Sequence, residues 1–95
     1  MVNDRIENDF LLINISEELV RNKVKEMMET YEMCHCQKCY YDVCAIVLNS
    51  LKPRYVTTEK GSLLSMLSAT NMESQIDLAV SVMQALILVK DSPRH

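Results

Sequence analysis

The chain has 95 residues, is 48% hydrophobic and carries a formal net charge of −3. Its length bounds it to a single domain, residues 1–95, and its apolar content is that of a folded chain rather than a disordered one. The acidic balance excludes the basic field that direct nucleic-acid binding needs.

No uninterrupted apolar run reaches the roughly 18 residues of a bilayer span. Residues 1–7 are polar, with no basic stretch ahead of an apolar core. The expectation is a cytoplasmic chain without signal peptide or membrane partner. Glycine occurs once and proline twice, and the apolar spacing is helical almost throughout. That predicts an all-α domain of four to five helices. Ile6, Phe10 and Ile13 stand at i, i+4, i+7, which suits a short first helix. Asn14 reads as the N-cap of the next helix, with Glu17 as its capping-box partner. Ser16 is the rival cap, with Glu17 and Glu18 favourable in the first turn. Val20, Val24, Met27, Met28 and Tyr31 then share one stripe.

A third helix is expected over 37–51, with Tyr40, Val43, Cys44, Val47, Leu48 and Leu51 inward. Pro53 ends it by steering Lys52 away from helical geometry. Residues 54–58 are rich in β-branched side chains and predict a short extended segment. Glu59-Lys60-Gly61 reads as a turn, and 62–69 as a short helix through Leu63, Met66 and Leu67. Thr70-Asn71-Met72-Glu73 fits a capping box that opens a last helix to about residue 90. Its stripe is Met72, Ile76, Ala79, Val80, Met83, Leu86 and Ile87. From Ala85 to Val89 it is apolar all round and needs cover on every side. In so short a chain the natural cover is a subunit interface, which predicts a homodimer. Neighbouring loops or the first helix are the alternative. Residues 91–95 read as a polar tail.

All four cysteines fall between Cys34 and Cys44, spaced C-x-C-x2-C-x4-C. Clustered thiols serve as a metal site, a redox couple or a disulfide, and disulfides rarely persist in the cytoplasm. The pattern points to a zinc ion stapling the domain, held by Cys34, Cys36, Cys39 and Cys44. Cys34 and Cys36 share a turn. Cys39 opens the third helix, where the helix dipole favours a thiolate. Cys44 lies roughly 140° further round an ideal helix, so it ligates only if Cys39 precedes the regular helix. The other reading of Cys44 is a small buried apolar residue, with His35 as the alternative ligand. His95 reads as solvated. Four thiolates leave no open position, so the zinc would be structural. No catalytic set accompanies it. Gly61 is the only glycine, so there is no phosphate-binding loop, and the two histidines complete no Ser-His-Asp set. Glu17, Glu18, Glu26 and Glu29 read as a solvated helix face. A non-enzymatic role is expected.

Met33-Cys34-His35-Cys36-Gln37-Lys38-Cys39 is followed by Asp42-Val43, Ala45 and Leu48-Asn49-Ser50-Leu51-Lys52-Pro53-Arg54-Tyr55-Val56. Asn14-x2-Glu17-x2-Val20 stands upstream. On these residues the chain, from about 12 to 89, resembles the late competence development protein ComFB family. Cys44 lies outside that pattern. The resemblance implies a small helical dimer tied to bacterial competence, with a competence-related protein partner. In members that act as receptors it implies cyclic di-GMP as ligand.

The residues suit a cyclic dinucleotide. Phosphates take Arg or Lys, a guanine edge takes Arg and a carboxylate, and aromatic faces stack bases. Lys38, Asp42, Asn49, Arg54 and Tyr55 supply such groups. Lys38, Asp42 and Asn49 share one helical face, and a two-fold dimer would present two copies to a two-fold ligand. On the structural alternative, Lys38 and Asp42 form a surface pair, Asn49 and Pro53 organise a helix end, and Tyr55 packs. The functional expectation is a zinc-stabilised regulatory binding module. A thiol redox switch and an adaptor with no small ligand are its rivals.

Overall fold

A computed structural model describes residues 10–93. Where a first helix is expected, residues 10–12 have no regular structure and Ile13–Asn14 form a short strand, β1. Ile6, Arg94 and His95 lie outside the described residues. The reason for the difference is a long-range partner. β1 pairs antiparallel with β2, Tyr55–Val56, in the register Ile13 to Val56 and Asn14 to Tyr55. The Leu11 N–H donates to the Thr57 carbonyl at 2.9 Å. These backbone groups are satisfied across the ribbon rather than along a helix.

Asn14 caps α1, Ile15–Met28, through Oδ1, which accepts the Ser16 N–H at 3.1 Å. The same oxygen accepts the Arg54 N–H at 2.8 Å. Glu17 does not return the bond of a capping box but faces Arg21 at 3.4 Å. Ser16 is not the cap. It is buried, and its hydroxyl donates to the Lys52 carbonyl at 2.9 Å. With the Ile15 N–H donating to the Arg54 carbonyl at 2.7 Å, these bonds strap residues 52–54 to the start of α1. Asn14→Ala removes both roles of one side chain and is expected to cost about 2 kcal/mol. Urea unfolding should show a lower midpoint at unchanged slope.

The core is a three-helix contact of α1 with α2, Gln37–Ser50, and α4, Met72–Asp91. Val20, Val24 and Met28 come from α1, Cys39, Val43, Cys44 and Val47 from α2, and Val82, Ala85, Leu86 and Val89 from α4. Met27, Tyr31, Tyr40, Leu48 and Leu51 pack around that centre, so the stripes expected of α1 and α2 form. Each large aliphatic side chain so buried contributes about 1.5–3 kcal/mol.

Two further elements differ from expectation. α3, Glu59–Ser68, begins where a turn is expected, because the Thr58 hydroxyl accepts the Gly61 N–H at 2.9 Å and caps it. A Cβ at position 61 would stand 3.1 Å from that hydroxyl, so glycine suits the close cap. In α4, capped by Asn71 through the Ser74 N–H at 2.8 Å, the inward stripe is Val82, Ala85, Leu86 and Val89. Met72, Ile76, Val80, Met83 and Ile87 lie exposed on another face, as does Leu88. Leu86 and Val89 therefore belong to the chain's own core rather than to an interface. Among the described residues α4 is also long and apolar enough to cross a bilayer by length and composition, with a mean hydropathy of 1.4. Polar residues break its apolar run, yet the average stays that high. Only 22% of the window is buried, so much of its apolar area lies on the surface.

Candidate metal centre and ligand-binding residues

The link from α1 to α2 carries the thiols. Cys36 is the N-cap of α2, with extended backbone at φ −71° and ψ 164°. Its Sγ accepts the Cys39 N–H at 3.5 Å. Cys34 and Cys36 are exposed and Cys39 is buried in the first turn of the helix. The three sulfurs lie within 4.8 Å of one another. Tetrahedral zinc–thiolate bonds would set sulfurs about 3.8 Å apart, so a small contraction completes a metal-bound arrangement.

The electrostatics fit a cation. The Cys39 N–H and the Cys34 thiol hold the Cys36 pKa below the ordinary thiol value. Burial, then the neighbouring Cys36 and Cys34 thiols, push Cys39 up to about 12. Without a cation the cluster favours one anion and resists a second. A bound thiophilic metal deprotonates its ligands outright and removes that conflict. Cys34, Cys36 and Cys39 are the residues that would hold it. When bound, it would tie the interhelical link to α2.

Cys44, expected as the fourth ligand, is not brought to this cluster. Cys39 already lies inside regular α2, so the helical phase turns Cys44 away to the core, 5% exposed among Val20, Val43 and Val82. Burial pushes its pKa up, against a hydrogen bond with Tyr40. The Tyr40 hydroxyl in turn donates to the Arg21 carbonyl at 3.3 Å. His35 Nε2–H donates to the Tyr31 carbonyl at 2.9 Å, which holds the ring against the link. Cys44→Ala is expected to leave metal stoichiometry unchanged and to lower stability by about 1 kcal/mol through lost packing. Elemental analysis with a thermal melt checks both.

The five residues expected to bind a ligand do not converge on one cavity. Lys38 Nζ is 2.6 Å from Asp42 Oδ2 on α2, which makes them an ion pair. Asn49 is exposed near the end of the same helix. Arg54 lines a cavity with Lys52, Ser16, Leu19, Ser74 and Asp77. Tyr55 lines another, with Leu12, Ile13, Glu18 and Arg21. Lys52, outside the expected set, lines the same cavity as Arg54, since residues two apart in an extended segment face the same way.

The family model for late competence development protein ComFB matches residues 13–93. Competence protein ComFB of Bacillus subtilis strain 168 is 27% identical over 84 residues, covering 87% of this chain and 86% of that protein. The solved structure of the late competence protein ComFB from Bacillus subtilis matches with a TM-score of 0.79 at 27% identity. It covers 87% of this chain and 92% of that one.

Proposed function

The chain belongs to the late competence development protein ComFB family, and from that premise we propose a non-enzymatic regulatory binding module of bacterial competence. In this reading zinc staples the fold, a homodimer is the working form, the cytoplasm is the location, and cyclic di-GMP is the ligand. The observation that carries it is the Cys34, Cys36 and Cys39 cluster, with sulfurs within 4.8 Å at the start of a core helix. Three thiols converging on one point, one of them buried, suit a structural ion better than exposed redox chemistry. The dimer is supported by the exposed apolar side chains of α4. The ligand is supported by the family resemblance.

The test is direct. Purified protein should carry about one zinc per chain, and its clustered thiols should stay unreactive until a chelator is added. Calorimetric titration with cyclic di-GMP should show saturable heat. The depressed pKa of Cys36 favours one rival, a thiol switch. Metal-free protein that stays folded and cycles between dithiol and disulfide would decide for that rival. Zinc-loaded folded protein that gives no heat with cyclic di-GMP would decide for an adaptor that binds only protein.

A further inference from the structure

Three sulfurs fill three corners of a tetrahedron, and a closed structural zinc site takes a fourth ligand. Among the described residues no imidazole, carboxylate or further thiol joins Cys34, Cys36 and Cys39 within 4.8 Å. The sequence holds four cysteines and two histidines. Cys44 is turned into the core. His35 is held away by its hydrogen bond to the Tyr31 carbonyl at 2.9 Å. Residues 1–9 bring carboxylates but no thiol or imidazole. They also enter at the start of α1, a 14-residue helix whose ends stand about 21 Å apart. His95 is the remaining donor of the kind that structural zinc sites use.

The fold carries α4 to the matching end of the bundle. Lys90 Nζ lies 5.2 Å from the centroid of the Tyr31 ring. Tyr31 is the residue whose carbonyl holds His35, which stands between Cys34 and Cys36. Val89, one position before Lys90, belongs to the same core as Cys39. The last turn of α4 is thus at the end of α1 and α2 that bears the thiols. The helix stops there, because Ser92 leaves helical geometry at φ −140° and ψ 66° and Pro93 cannot continue the ladder. His95 follows Asp91 by four residues, a reach of about 13–14 Å for extended chain. Cys39 is buried while Cys34 and Cys36 are exposed, so the open corner lies on the outer side of the cluster. Zinc with three thiolates keeps a net negative charge, which Lys90 and the Arg94 next to His95 complement. We infer that the His95 imidazole supplies the fourth ligand. The inference rests on the zinc reading above and deepens it, since one ion then joins the α1–α2 link to the chain beyond α4 and ties all three core helices together.

X-ray absorption at the zinc edge of the full zinc-loaded chain tests it. Wild type should show three sulfurs at about 2.3 Å and one nitrogen at about 2.0–2.1 Å, with the outer scattering of an imidazole ring. His95→Ala should lose the imidazole scattering. Its zinc affinity, read by competition with a chromophoric chelator, should fall at least about tenfold, since even groups behind the ligands are worth 10–100-fold. His95→Cys should recover that affinity and read as four sulfurs, which carries the test where the alanine variant fails to fold. His35→Ala should change neither the spectrum nor the affinity. Zinc-loaded wild type without imidazole scattering overturns the inference and leaves the zinc reading standing. So does imidazole scattering that survives His95→Ala or disappears in His35→Ala. Wild type that takes up no zinc overturns both.

Discussion

Cys39→Ser is expected to abolish metal retention and to lower the melting midpoint by more than about 10 °C. Cys39 is 1% exposed and is the one clustered thiol that also belongs to the packed core. It joins the link carrying Cys34 and Cys36 to α2. A serine hydroxyl does not ionise at neutral pH and is a poor partner for a thiophilic ion. The loss therefore includes whatever part of the metal's binding free energy is coupled to folding. Apparent values for small zinc domains reach about 10–16 kcal/mol, although a chain with its own valine-rich core draws on only part of that. Even about 3 kcal/mol corresponds to more than 10 °C in a domain of this size, at roughly 4 °C or more per kcal/mol. Packing and metal separate by a cycle of mutation against chelation. Wild type should drop steeply when chelated, Cys39→Ser should barely respond, and the two chelated proteins should melt within a few degrees of each other. Equal melting of wild type with and without chelator would remove the metal from the account of stability.

What the sequence made legible was local. The Asn14 cap depends on a group two residues away and forms; at α4 the capping box expected of Thr70 and Glu73 gives way to Asn71, one position on, which takes the Ser74 N–H. The α1 and α2 stripes need only helical period, and Pro53 needs only its own ring to stop α2. The convergence of Cys34, Cys36 and Cys39 also follows from short spacing at a helix start. What was hidden was set at a distance. Ile13 reads as helical until Val56, 43 positions later by number, offers a strand partner. Cys44 was ambiguous because its direction depends on whether α2 begins before Cys39, and the Cys36 cap decides that. Arg54 and Tyr55 are adjacent in sequence, yet in an extended segment neighbours face opposite ways, so they line different cavities. α4 bears two apolar faces, and its own period cannot say which one α1 and α2 will cover.

Val80→Asp is expected to split the proposed dimer while leaving each protomer folded. Met72, Ile76, Val80, Met83 and Ile87 recur at intervals of four, four, three and four, the spacing of a helix seam that meets another helix. All five are exposed, as are Leu63, Leu64 and Leu67 of α3. Under two-fold symmetry the same face serves both partners. Each such side chain, already partly covered in the protomer, would contribute on the order of 1 kcal/mol on association. About ten of them across the two-fold reach the gross energy of a micromolar complex, about 8 kcal/mol, with α3 helping to offset lost translational and rotational freedom. A carboxylate at position 80 would enter that seam twice, unpaired and desolvated, at a cost of several kcal/mol. The dissociation constant should rise at least about 100-fold, which sedimentation equilibrium reads as a shift to monomer mass. Leu86→Asp is the contrast. Leu86 is 0% exposed inside the protomer, so its carboxylate should unfold the chain rather than dissociate it. A dimer unperturbed by Val80→Asp would move the interface away from α4, and a wild type that remains monomeric at high micromolar concentration would leave that apolar face without a second copy to cover it.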